Sequence, residues 1–188
     1  MEIRLAVNNI QKDSIVDGEG VRAVLWTQGC VHNCPGCHNP HTHSFDDGYL
    51  RDIEDIKLEI DLLEGQDGIT FSGGDPMEQA MACAELAKYC HSKGLNVWCY
   101  TGYTYEELLS RSKINRHIMD FLKAIDVLVD GKFILSLKSY DVMFRGSKNQ
   151  RLIDVKKSLK TKSTVLYNKY DNFYDTNSKG RGSICKYL

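Results

Sequence analysis

Apolar residues follow two periods along this chain, and the switches between them mark its elements. The run Val21-Arg22-Ala23-Val24-Leu25-Trp26-Thr27 is β-branched and apolar and is bracketed by Gly18, Gly20 and Gly29, which predicts a buried strand. From Leu50 to Leu63, apolar residues at Leu50, Ile53, Ile56, Ile60 and Leu63 recur every three or four positions, the face of an amphipathic helix. The alternation then repeats: a strand at Gly68 to Ser72, a helix at Met77 to Ser92, a strand at Leu95 to Tyr100, a helix at Tyr105 to Arg111 and a strand at Ile125 to Val129. Such a pattern predicts an α/β fold with parallel strands joined by right-handed crossovers. It would be an open sheet or partial barrel, with its site at the C-terminal ends of the strands.

At 188 residues the chain is long enough for one substantial core and short for two. A net charge of -1 provides no basic stripe for displacing counterions, so nucleic-acid binding is not expected. No stretch reaches the apolar length of a membrane span, and Met1-Glu2-Ile3-Arg4 lacks the apolar core of a signal peptide, so a cytoplasmic protein without a membrane partner is expected. Near Lys156 the composition changes, with eight Lys or Arg against two Asp from there to Leu188. The expected organisation is a core domain over residues 1–155 and a basic, polar, peripheral extension over 156–188.

Candidate chemistry is concentrated in the loop after the first predicted strand. Gly29-Cys30-Val31-His32-Asn33-Cys34-Pro35-Gly36-Cys37-His38 carries three of the seven cysteines. Three thiolates can hold three corners of a cubane iron–sulfur cluster and leave one iron open, and an open position marks a catalytic rather than a structural metal site. A structural zinc completed by His32, His38, His41 or His43 fits the same spacing. A disulfide is disfavoured by the odd cysteine count and the expected reducing compartment. Cys83 and Cys90 share a helix face and Cys99 lies in a predicted buried strand, where a free thiol behaves as a small hydrophobe. Cys185 finds no place in this pattern.

A second motif, Ser72-Gly73-Gly74-Asp75-Pro76-Met77-Glu78, leaves a strand and opens a helix. Asp75 as N-cap, Pro76 at the first helical position and Glu78 closing a capping box account for its second half. The two glycines go beyond that account. They would let a ligand approach the backbone, and their carbonyls together with the Asp75 carboxylate suit a ligand ammonium group.

A Cys-x3-Cys-x2-Cys loop after the first strand, with a Gly-Gly-acid-Pro turn after the second, resembles the radical S-adenosylmethionine enzymes. Asp17-Gly18-Glu19-Gly20-Val21-Arg22, Tyr100-Thr101-Gly102-Tyr103, Val129-Asp130-Gly131-Lys132-Phe133 and Phe144-Arg145-Gly146-Ser147-Lys148-Asn149-Gln150-Arg151 narrow the resemblance to the glycyl-radical activating enzymes, over roughly residues 14–155. Among these the likeness is greatest to the activators of anaerobic ribonucleotide reductase. The resemblance implies the partial, open (β/α) barrel of that superfamily, one 4Fe-4S cluster on Cys30, Cys34 and Cys37, and S-adenosylmethionine chelating the fourth iron. It also implies reductive cleavage to a 5'-deoxyadenosyl radical that takes a hydrogen from a glycine of the reductase large subunit, with a low-potential donor such as flavodoxin.

Cofactor contacts implied by the resemblance are Gly73, Gly74 and Asp75 for the amino group, the backbone around Gly36, Cys37 and His38 for the adenine, and Thr101 and Asp130. Lys132, in an Asp-x-Lys element, would help hold the methionine part and the substrate loop. Gly36 stands where most of the superfamily has an aromatic residue, as in the reductase activators. His38 stands where those activators commonly have Tyr, and matches the pyruvate formate-lyase activator. Plain turn chemistry is the alternative for Thr101-Gly102, for the Gly131 turn and for Arg145, Ser147 and Asn149. Activation of a different glycyl-radical partner, small-molecule chemistry such as deazaguanine synthesis, and a zinc-stabilised binding module are the competing functions.

Overall fold

The computed structural model of the protein describes residues 1–170. In chain order its elements are β1 (Glu2–Ser14), β2 (Arg22–Thr27), β3 (Tyr49–Asp52), α1 (Ile53–Asp61), β4 (Gly68–Gly73), α2 (Ala80–Ser92), β5 (Asn96–Tyr100), α3 (Tyr105–Arg111), α4 (Arg116–Leu122), β6 (Val127–Asp130), β7 (Arg151–Asp154) and α5 (Val155–Thr161). One mixed sheet has the order β3-β1-β2-β4-β5-β6-β7. Its centre, β2-β4-β5-β6, is parallel; β1 on one side and β7 on the other run antiparallel to it, and β3 pairs antiparallel with β1 at the edge. The fold is therefore α/β with a mostly parallel central sheet.

Side-chain alternation divides the sheet into two faces. Ala23, Leu25, Ile69, Phe71, Val97, Cys99, Leu128 and Ile153 join one core with helix residues such as Ile56, Cys83, Leu86, Cys90, Leu108 and Phe121. Phe71 and Phe121 meet edge to face at 5.3 Å. On the opposite face Trp98, Val127, Val129 and Leu152 form a second cluster, joined by Tyr100, Phe144, Tyr167 and Tyr170. Residues 163–170 return to this face: the Tyr167 N–H donates to the Leu152 carbonyl at 2.8 Å, and the Tyr167 hydroxyl donates to Glu19 at 2.9 Å. Residues 171–188, with Cys185, lie outside the described part.

Several sequence expectations change. The helix expected from Leu50 begins at Ile53, because residues 49–52 pair with β1 and Asp52 caps the helix by accepting from the Glu54 N–H at 3.0 Å. Leu50, which fitted the helical spacing, is exposed. The element expected from Met77 starts as a 3-10 turn at Pro76–Gln79 and becomes α-helical at Ala80. Asp75 does cap it through the Met77 N–H at 3.0 Å, yet Glu78 closes no capping box. The Asp75 N–H donates instead to the Gly29 carbonyl, and Glu78 accepts from the Tyr103 hydroxyl at 2.6 Å. The sequence pattern predicts no element at β1, α4, β7 or α5. Among the described residues no helix is long and apolar enough to cross a membrane.

Candidate iron–sulfur site

Because β2, β4, β5 and β6 are parallel, the loops that follow them meet at one end of the sheet. They deliver, in turn, the cysteine loop, Gly73-Gly74, Thr101-Gly102 and Gly131 with Phe133. Together these line a pocket of about 190 Å³ whose walls include Cys30, Cys34, Cys37, His38, Gly73, Gly74, Thr101 and Gly131. Trp26, Ser72 and Tyr100, neighbours across three strands, also line it. This is where the alternation of the strands places their second face.

The three loop thiols are free and partly buried. Burial pushes the Cys30 and Cys34 thiols up from their ordinary values, while backbone hydrogen bonds from His32 and Asn33 to Cys30, and from Phe133 to Cys34, favour the thiolates. The Asn39 N–H donates to the Cys37 sulfur at 3.4 Å. Three partly buried sulfurs, each with backbone N–H donors and facing one cavity, form a donor set that suits a thiolate-ligated cluster. Gly36 has φ +72°, and a Cβ there would come within 2.9 Å of the Leu135 side chain, so this position favours glycine. Among the described residues no three His, Cys, Asp or Glu side chains converge on a point that would hold a single metal ion. His32, one candidate for completing a zinc site, commits its Nε2 to Asp75 at 2.8 Å.

Two glycines prove to have a structural reason that the sequence reading did not supply. A Cβ at Gly74 would stand 2.3 Å from the Gly29 carbonyl oxygen, and one at Gly73 2.4 Å from the Thr27 oxygen. What approaches these glycines so closely is the chain itself, where β4 leaves the sheet beside the start of the cysteine loop. Both still present backbone to the pocket.

The two acids are turned away from the pocket. Asp75 is fully buried and accepts from His32, Thr101, Gly102 and Met77. Asp130, 1% exposed, accepts from the Tyr105 N–H at 2.8 Å and pairs with Arg151, whose Nε lies at 2.9 Å. Lys132, two residues after Asp130, is exposed, and its positive charge acts favourably on the Cys34 thiolate. Asn149 donates to the Lys132 carbonyl at 2.8 Å, and the Ser147 hydroxyl accepts from the Ile134 N–H at 3.2 Å, so both hold turns. Gln150, passed over in the sequence, joins the loops: its side chain donates to the Gly131 carbonyl at 3.0 Å and accepts from the N–H groups of Gly146 and Ser147. Phe133 packs its ring 5.2 Å from that of His38.

The loop after β2 gathers three thiols at the C-terminal end of the parallel strands, and a family model described as a 4Fe-4S single cluster domain matches residues 16–153, which places the chain among the iron–sulfur proteins. Curated relatives named anaerobic ribonucleoside-triphosphate reductase-activating protein include those of Salmonella typhi (38% identical over 145 residues), Escherichia coli K12 (35% over 150) and phage T4 (32% over 143). The first two matches cover 72% of this chain and 90% of the relative, and the third covers 73% and 86%. The chain belongs to the anaerobic ribonucleoside-triphosphate reductase-activating protein family.

Proposed function

We propose that this chain is a radical S-adenosylmethionine enzyme that installs a glycyl radical on the large subunit of an anaerobic ribonucleoside-triphosphate reductase. The observation that carries the reading is the meeting of Cys30, Cys34 and Cys37 with the Gly73-Gly74 backbone around one pocket, in a chain whose relatives bear the activating-protein name. The three cysteines would hold a 4Fe-4S cluster and leave one iron for the amino and carboxylate groups of S-adenosylmethionine. Backbone at Gly73 and Gly74 would receive the ammonium, backbone at Gly36, Cys37 and His38 the adenine, and Thr101 and Gly131 would flank the rest. When bound, the cluster and S-adenosylmethionine supply the reductive cleavage and hydrogen abstraction from glycine, since cofactors carry such chemistry.

The protein's own share is position and exclusion of water. Trp26, Tyr100 and Phe133 line the pocket with aromatic surface. Lys132, exposed at the rim, would hold the substrate loop, with Asp130 fixing the turn that carries it. We read the seven-stranded sheet as a partial barrel whose lateral opening admits that loop, residues 1–155 as the core domain and 156–188 as its peripheral extension. A low-potential donor such as flavodoxin and a cytoplasmic setting complete the reading.

Anaerobic incubation of the full chain with the reductase, a reductant and S-adenosylmethionine, read by electron paramagnetic resonance, tests it. A brown protein that produces a glycyl radical on the reductase is expected. A colourless zinc protein, or a cluster protein that cleaves S-adenosylmethionine and leaves the reductase unmodified, would overturn it. Lys132→Ala should lower the radical yield more than it lowers slow cleavage without partner, by as much as about 100-fold if the glycine is misplaced by about 1 Å. Equal losses in both assays would place Lys132 at the cofactor alone.

A further inference from the structure

An ionised carboxylate has about four acceptor sites on its two oxygens, and those of Asp75 are all engaged inside the protein. Oδ1 accepts from the Met77 N–H at 3.0 Å and the Thr101 hydroxyl at 3.0 Å. Oδ2 accepts from His32 Nε2 at 2.8 Å, the same hydroxyl at 2.9 Å and the Gly102 N–H at 2.9 Å. The residue is fully buried and absent from the pocket wall, whereas His32, Gly74, Thr101 and Gly102 around it all line that wall. No capacity remains for a ligand ammonium.

The donors come from three places: His32 from the spacer between Cys30 and Cys34, Met77 from the turn after β4, and Thr101 with Gly102 from the end of β5. The His32 side chain is 5% exposed and sits edge-on to the Tyr103 ring at 4.4 Å. It lies so close to Gly102 that a Cβ there would be 2.3 Å from its ring. The Asp75 N–H adds a bond to the Gly29 carbonyl at 2.8 Å.

We propose that Asp75 is a positioning residue, a latch that acts through His32 to fix the cysteine loop against the Gly73-Gly74 and Thr101-Gly102 walls. This rests on the cluster reading above. It assigns His32 a role in holding the three thiolates in register with the ligand-binding backbone, and removes Asp75 from direct contact with the ligand.

A double-mutant cycle decides between latch and contact. His32→Phe keeps a ring against Tyr103 and removes the bond to Asp75, while Asp75→Asn keeps size and removes charge. S-adenosylmethionine affinity is titrated by the change it causes in the resonance spectrum of the reduced cluster, with iron and sulfide content measured alongside. For a latch, each variant weakens binding about 10-fold or more, the double variant is no weaker than the worse single one, and His32→Gln, which restores a donor, recovers most of the affinity. Loss of binding in Asp75→Asn alone, with His32→Phe as tight as the parent, would overturn the latch in favour of ligand contact.

Urea unfolding of the cluster-free chain gives a second reading of the same cycle, in which the two substitutions should be non-additive by a factor of about 10 in the unfolding constant. Additivity there overturns the latch. If His32→Phe does not fold, His32→Asn takes its place in both measurements. A parent chain that assembles no cluster would overturn the functional reading instead, and the unfolding cycle would still judge the contact.

Discussion

The two ends of the parallel strands are built from opposite materials. At the N-terminal end Arg22 is fully buried, its guanidinium 5.4 Å from the centre of the Trp98 ring. It donates to the Thr70 hydroxyl at 2.6 Å, Asn96 Oδ1 at 2.7 Å, the Ile69 carbonyl at 2.7 Å and the Glu19 carbonyl at 3.0 Å. Burial lowers its pKa to about 10, still far above neutrality, so it stays charged. A Cβ at Gly18 would stand 2.8 Å from the Arg22 side chain and 2.9 Å from Trp98, so the glycine-rich segment before β2 is shaped to close this end. At the C-terminal end partly buried thiols and bare glycine backbone surround open space. Side-chain hydrogen bonds tie the strands together around Arg22, and backbone is left exposed where a ligand would lie.

The contrast implies that damage at the two ends should be separable. Cys30→Ala is expected to abolish the cluster, read as loss of visible absorbance and of iron and sulfide, with little change in unfolding. Cys83→Ala, in the core beneath the sheet, should keep the cluster and cost about 1 kcal/mol or somewhat more, the usual scale for losing a small buried group. Cluster loss in Cys83→Ala with retention in Cys30→Ala would reverse the assignment.

Arg22→Met probes the closed end. It leaves the Asn96 side-chain oxygen and the Ile69 and Glu19 carbonyls without this donor, and each unsatisfied buried acceptor costs about 1–3 kcal/mol, partly offset by no longer burying a charge. A net loss of about 3 kcal/mol is expected in urea unfolding, with the cluster still assembled in the folded fraction. A stable variant that lost its cluster would mean that the two ends are coupled.

How far the sequence disclosed each region follows from the same contrast. β2, β4, β5 and β6 read clearly because strands buried on both faces are continuously apolar. β1 did not, because register shifts interrupt its pairing and Asn9 and Asp13 take φ of +50° and +60°, which breaks the alternation that marks a strand. β3 and β7 are four residues each, and Leu50 fell by chance on the helical spacing of α1. The cysteine loop was legible because its chemistry sits in consecutive residues. The latch was not, since His32, Asp75 and Thr101 lie on separate loops and only the parallel register brings them together. Trp26 and Tyr100 carried a usable signal, their phase within the strands.

Gly74→Ala tests whether the open end is as tightly packed behind its wall as the closed end is throughout. Its Cβ meets the Gly29 backbone, which cannot rotate away as a side chain can, so overpacking of about 1–3 kcal/mol is expected. The movement would fall on the cysteine loop, so cluster content should drop with stability. At Gly131 a Cβ would have no neighbour nearer than 3.9 Å, and only the φ of +96° opposes it. Gly131→Ala should therefore cost less and leave the cluster in place. Equal effects would show that backbone conformation, not crowding, governs these positions.

The smallest effect is expected at the rim, where Arg151 joins Asp130 to Glu106 at 2.7 Å. The hydrogen bond from Arg151 holds the Glu106 carboxyl down to about 2, below the ordinary 4.5. A carboxyl depressed by folding contributes stability that is complete above its unfolded pKa and disappears as pH falls through its folded one. Glu106→Gln should therefore destabilise the chain near neutrality, with the difference from the parent fading between pH about 4.5 and 2. Glu106 is 52% exposed, so solvent screening limits the loss to below about 1 kcal/mol, and added salt should shrink it further. Arg22→Met, at the sealed end, should show no such salt dependence. A Glu106 effect that survived both acid and salt would place the rim among the buried interactions and erase the contrast between the two ends.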